Sequence, residues 1–139
     1  MNAEAARELD LVLASDPKDN ELRLYLVRSL LGSAKYARAL DTVQQLRHEE
    51  ADSAILRELT GEALLRLDRI DDAISELKAA AEKFPSEPGI HYGIGFIYWT
   101  RHEDDEAEPE LKAEVSQDPS NAHSWALLGD IEIRRNKPD

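Results

Sequence analysis

Proline returns along this chain at a fixed interval. Pro85 and Pro119 stand 34 positions apart and Pro17 and Pro119 stand 102 apart, three times 34; the turns around them read DPKDN from Asp16, FPSE from Phe84 and DPSN from Asp118. A repeat of this length constrains the fold more than composition does. Each unit must be one small supersecondary structure that buries its apolar face only against its neighbours. Other residue types keep the same step: Ala5, Ala39, Ala73 and Ala107; Gly61, Gly95 and Gly129; and Leu9, Val43, Leu77 and Leu111. Counted from Asn20, full units run over 20–53, 54–87 and 88–121, with 1–19 as the second half of a unit and 122–139 as the first helix of a further one, all in a single array.

Each unit divides into two helical patterns. In the middle unit, AILRELTGEALLRL carries Leu56, Leu59, Ala63 and Leu64, and DDAISELKAAAEKF carries Ala73, Ile74, Leu77, Ala80 and Ala81, both at three-and-four spacing. The short LDRI between them predicts a tight antiparallel turn. The residues before the first helices are Asp19, Ser53, Glu87 and Asn121; three are good N-caps, and after Glu87 stands Pro88, suited to a first helical position. The Asp-Pro turn therefore ends one helix pair and starts the next. Pro109 falls inside the second helix of the third unit, and a proline is tolerated only in a first turn. That helix is expected to begin late, near Asp105 or Glu106, after a longer loop.

A 34-residue helix-turn-helix unit with the pattern W-x-x-L-G-x-x-Y, then spaced alanines, then proline, resembles the tetratricopeptide repeat. Trp125 to Gly129 matches the start of the pattern, Gly95 and Tyr98 the middle of the first helix, and Ala73, Leu77, Ala80 and Pro85 the second half. Val27, Leu30, Ala51 and Glu114 depart from it. The resemblance covers essentially the whole chain and implies an all-α fold, an α-α superhelix of antiparallel helix pairs, with the first helices lining an inner surface. The second, fifth, ninth and twelfth positions of those helices share one face. They are Glu21, Leu24, Arg28 and Leu31; Ile55, Glu58, Glu62 and Leu65; Gly89, Tyr92, Phe96 and Trp99; and His123, Ala126, Asp130 and Ile133. Family members that grip the C-terminal carboxylate of heat-shock chaperones use Lys, Asn and Arg as a clamp. Here Leu24, Arg28, Leu59 and Gly93 occupy clamp positions, so that activity is not supported.

Tyr92, Phe96 and Trp99 form the sharpest feature, three large rings at four-and-three spacing. On an isolated helix such a stripe is core. The repeat register instead assigns the core to Ile94, Gly95 and Tyr98, which leaves the stripe as an anchor for partner side chains. Leu24, Arg28, Ile55, Glu58, Glu62, Tyr92, Phe96, Trp99, His123 and Asp130 are accordingly the candidate partner-binding residues.

Little in the chain points to catalysis. His48, His91, His102 and His123 form no HExxH pair, Gly93 and Gly95 follow no strand, and Glu58, Glu62 and Arg66 read as a solvated i, i+4 ladder. The acidic runs at Glu49-Glu50 and Glu103 to Glu106 read as solvated helix ends. No cofactor or metal is implied, and the chain reads as a non-enzyme. With 29 acidic against 17 basic residues and a net charge of -12, most of the surface repels nucleic acid and anionic membrane. Cysteine is absent and no apolar run approaches membrane-spanning length, so the expectation is a soluble, cytoplasmic protein. Two functions fit: recognition of a peptide or protein segment in an apolar, aromatic groove, or a structural spacer or self-association element within a larger protein, acting end to end through its stacking ends. An unpaired half-unit at each end suggests a segment of something larger, or ends that stack on another molecule.

Overall fold

The computed structural model describes residues 3–49 and 52–137. Among them are eight α-helices and no strand: α1 Ala3–Leu13, α2 Asn20–Gly32, α3 Tyr36–Glu49, α4 Ala54–Arg66, α5 Ile70–Lys83, α6 Ile90–Thr100, α7 Asp104–Gln117 and α8 Ala122–Arg135. Glu50 and Ala51, two positions named from the sequence, lie outside the described residues. The helices divide into two compact units, 1–76 and 77–139, with the division inside α5.

In the first unit α1 packs on α2, α2 on α3 and α3 on α4. Its core holds Val27, Leu30, Ala39, Val43, Ala63 and Ala73, all fully buried; Ala39, Val43 and Ala73 belong to the series that return every 34 residues. The helix starts are capped as their residue types dictate. Asp19 accepts from the Leu22 N–H at 3.0 Å and Ser53 from the Leu56 N–H at 3.3 Å, each satisfying one of the donors that a helix start leaves open. Arg23 is 7% exposed, an unusual burial for a cation. It is held by Glu49 at 2.6 Å and Asn20 at 3.3 Å. That bond from Arg23 is the main reason the Glu49 carboxyl lies below its ordinary 4.5. Arg47 and Arg57 share Glu76 and Asp52, with Arg47–Glu76 at 2.6 Å and Arg57–Asp52 at 2.5 Å.

In the second unit α6 packs on α7, α7 on α8, and α6 also touches α8. Ala107, Leu111 and Ile131 form the buried centre, with Ile94 and Ile97 closed beside them on α6. The approach of α6 to α7 demands a glycine. A Cβ at Gly95 would lie 2.7 Å from the Leu111 side chain and 3.4 Å from the Ala107 carbonyl.

The three turns inside the helix pairs are identical in construction. Each is three residues long, 33–35, 67–69 and 101–103. Its middle residue, Ala34, Asp68 or His102, takes a left-handed φ of 60°, 61° or 57°. The following N–H reaches five residues back, Lys35 to Leu30, Arg69 to Leu64 and Glu103 to Tyr98, all at 2.8 to 2.9 Å. This is the Schellman closure of a helix end, repeated in phase without a glycine in any of the three.

Two sequence expectations fail at the third repeat. The helix after Glu103 does not begin late. It starts at Asp104, in phase with Tyr36 and Ile70, and the loop before it is no longer than the others. Pro109 is taken into its second turn, where the Asp105 carbonyl loses its donor, and both residues are exposed. The helix that does begin late is α6. Glu87 is not its cap and Pro88 is not its first residue; the start moves to Ile90, with Gly89 before it at φ 96°. The reason is Glu114, fully buried on α7, whose carboxylate accepts from the Gly89 N–H at 2.8 Å and the Tyr92 N–H at 3.1 Å. A neighbouring helix thus supplies the cap that α6 lacks in its own sequence.

The acidic runs are also more than solvated ends. Besides Glu49 with Arg23, Asp104 pairs with Arg134 at 2.7 Å and Asp105 with Arg135 at 2.8 Å, tying α7 to α8.

Candidate functional site

The candidate residues fall on both units. In the first, Leu24 and Arg28 lie on α2, half-buried and exposed respectively. On α4, Ile55 is 46% exposed, Glu62 is exposed and Glu58 is half-buried. No ring stands among these five; they offer aliphatic surface bordered by one cation and two acids.

The second unit brings its candidates into one cluster. Tyr92, Phe96 and Trp99 follow one another along α6 with centroids 6.0 Å apart at each step, and the His123 ring of α8 lies 6.0 Å from Tyr92. These separations fall within the range of favourable offset or tilted ring contact. Asp130 on α8 accepts from the Trp99 indole N–H at 2.8 Å. Arg134 lies over the Trp99 ring at 5.4 Å, and its guanidinium also meets the His102 ring nitrogen at 2.6 Å.

The three rings are not equivalent. Phe96 is 36% exposed, whereas Tyr92 and Trp99 are half-buried and pack against the Ala107, Leu111 and Ile131 centre. Tyr98, expected to be core, is half-buried on the same centre, with Lys78 over its ring at 5.4 Å. Side-chain hydrogen bonding to Tyr98 raises the Lys78 ammonium above its usual value. Exposure along α6 is therefore graded: Ile94 closed, Tyr92, Tyr98 and Trp99 between, Phe96 open.

Sequence reasoning noticed Glu114 only as a departure from the repeat pattern and missed its role, and it missed Arg134 altogether. Glu114 did carry a signal, since it stands in phase with the buried Leu46 and Ala80. A carboxylate in a core register must find donors, and the start of α6 supplies them. Arg134 carried none, because an arginine in the last turn of a helix is ordinary.

Among the described residues no group of three or more His, Cys, Asp or Glu side chains is placed to hold a metal ion, and no helix is long and apolar enough to cross a membrane.

The repeated helix pairs and their in-phase turns define an all-α helical-repeat protein. Two tetratricopeptide repeat models match the chain, one over residues 24–88 and the other over 64–138. The chain belongs to the tetratricopeptide repeat family, whose members are scaffolds for protein–protein interaction. No curated protein sequence matches it. A crystal structure of MamA is similar with a TM-score of 0.79 at 21% identity, over 94% of this chain and 76% of that one. TTC0263, described as a thermophilic TPR protein of Thermus thermophilus, gives 0.76 at 21% identity, over 94% and 73%. These identities bear on the fold alone.

Proposed function

We propose that this chain is a recognition module in which Tyr92, Phe96, Trp99, His123 and Asp130 anchor an extended or helical segment of a partner protein. The observation that carries this reading is the continuous ring stripe on α6, whose most open member, Phe96, sits between two rings already fixed by packing. A pre-set aromatic face binds at low entropic cost, since its rotamers are ordered before the partner arrives. On the first unit we assign the same role to Leu24, Arg28, Ile55, Glu58 and Glu62, as a face of aliphatic and mixed charge. The family's scaffold role supports the class of function, and the net charge of -12 favours a partner segment that combines an apolar anchor with Lys or Arg.

Selection of a random-peptide display library on the intact chain tests this. The expected winners carry an aromatic or large aliphatic residue near basic ones, and Phe96→Ala weakens them by roughly thirtyfold, about 2 kcal/mol. Peptides that bind Phe96→Ala and His123→Ala as tightly as the parent chain would remove the α6–α8 face from consideration.

A further inference from the structure

One pairing recurs in the repeats and is missing from the first. At the fourth position of the repeat stand Arg23, Arg57 and His91, and in phase on the second helices stand Thr42, Glu76 and Glu110. In the second repeat Arg57 holds Glu76 at 3.5 Å and Asp52 at 2.5 Å, and Arg47 holds Glu76 at 2.6 Å. In the third, the His91 ring meets Glu110 at 2.7 Å. The first repeat keeps the cation and changes its surroundings. Thr42 stands in place of Glu76, Lys18 in place of Asp52, and Arg38 in place of Asp72. Three positions that are acidic in the second repeat have become two cations and a hydroxyl. The Thr42 hydroxyl turns to its own helix and donates to the Arg38 carbonyl at 2.8 Å.

At this point a cleft of about 910 Å³ lies open between the end of α1 and α3, over α2. The buried Arg23 and Leu26 form its floor, half-buried Leu13 lines one wall, and Lys18 and Arg38 stand exposed at its rim. Its lining cations Lys18, Arg23 and Arg38 outnumber the one lining carboxylate, Glu49, in a chain of net charge -12. Asp10 answers Arg38 at 2.5 Å. The carboxylates that answer Arg57 come from α5 and from the turn before α4, within the same helix pair and its own turn. The cleft is thus left without them by the identities of residues 18, 38 and 42, whatever precedes α1.

We propose that this cleft binds an acidic side chain of a peptide segment, whose carboxylate takes the place beside Arg23 that Glu76 holds beside Arg57. The bonds from Arg23 to Glu49 and Asn20 both leave from Nη1, and a guanidinium has five donors in a planar fork. It can therefore hold a second carboxylate beside Glu49, as Arg57 holds two. Lys18 supplies a flexible ammonium to the same group, and Leu13 and Leu26 offer apolar cover to the residue next to it. The net charge opposes a long polyacidic partner, so the segment carries one or two acids among apolar residues. The site shares no residue with the aromatic face of α6 and α8, and either can fail alone.

Titration of the isotope-labelled chain with acetyl-Leu-Glu-Leu-amide and with its glutamine counterpart, followed through backbone and arginine side-chain N–H resonances, reads this directly. The glutamate peptide is expected to shift the Arg23 Nε–H and the Lys18 and Thr42 amides saturably, and the glutamine peptide to bind about tenfold more weakly. Thr42→Glu and Lys18→Asp carry into the first repeat the residues of the second. Each is expected to keep its helical circular dichroism and to lose about tenfold or more in affinity for the glutamate peptide. Absence of shifts up to about 10 mM peptide, equal binding of the two peptides, or a Thr42→Glu variant that binds like the parent overturns the proposal. Glutarate that binds as tightly as the glutamate peptide overturns the assignment to a peptide, since the carboxylate alone is then the ligand.

Discussion

Phe96 and Trp99 stand three positions apart on α6 and have different attachments. Phe96 touches the rings on either side and is 36% open to water. Trp99 packs on the buried centre of its unit, donates to Asp130 and lies under Arg134. Truncating a fully buried ring costs about 3 to 5 kcal/mol, whereas removing one at the surface costs roughly 1 kcal/mol or less. Phe96→Ala is therefore expected to leave the denaturant midpoint nearly unchanged. Trp99→Ala falls in between, about 2 to 3 kcal/mol, because it opens part of the centre and leaves Asp130 without its donor. Equal losses for the two variants would show that Phe96 is packed like its neighbour. The stripe itself was legible, since four-and-three spacing places the three rings on one face. The unequal packing along it was not, because it depends on α8 and on Arg134, which lies 35 positions from Trp99.

Helices are the scale at which the sequence is most readable and also where two expectations fail. The 34-residue step locates α2, α4 and α8 by their own caps, because an Asp, Ser or Asn that accepts a hydrogen bond three residues on is a local device. The start of α6 is set from α7, and a cap borrowed across 22 or 25 positions leaves no local trace. The in-phase left-handed turn residues Ala34, Asp68 and His102 share no side-chain chemistry, so their common geometry was equally hidden. Glu114→Ala is expected to lower stability by about 2 to 3 kcal/mol and to speed exchange of the Tyr92 amide, since two N–H groups lose a charged acceptor. Glu114→Gln, which keeps an acceptor oxygen, loses less. Unchanged exchange at Tyr92 in the alanine variant would show that the borrowed cap is dispensable. The junction of α7 and α8 carries a pH signature. Glu108 is held below its ordinary 4.5, first by its bond from Lys112 and then by Arg135. A carboxyl with a lowered folded value stabilises the protein above its unfolded value and loses that contribution as pH falls through the lowered one. A carbon-detected titration of the Glu108 carboxyl should have its midpoint below 4.5, and Lys112→Gln should move it upward. A midpoint at 4.5 that ignores the substitution would mean that these ion pairs are absent in solution.

At the scale of the whole chain, the proposed recognition role assigns different steps of binding to the excess of 29 acidic over 17 basic residues and to the aromatic face. Charge spread over a surface attracts an oppositely charged segment from a distance and raises the encounter rate, an effect that salt screens over about 8 to 10 Å. A desolvated ring contact forms after encounter and governs departure. The repeat period and the composition made both features readable before any coordinates, because neither depends on which helix touches which. For a basic, aromatic peptide selected on this protein, the association rate is expected to fall about tenfold or more between roughly 0.02 and 0.5 M salt while the dissociation rate changes little. Phe96→Ala is expected to do the opposite, raising the dissociation rate roughly thirtyfold and leaving association within about a factor of two or three. Stopped-flow mixing, followed by displacement, measures the two rates separately. If salt and Phe96→Ala both act on the same rate, the ring is part of the encounter surface and the division of labour between charge and stripe is wrong.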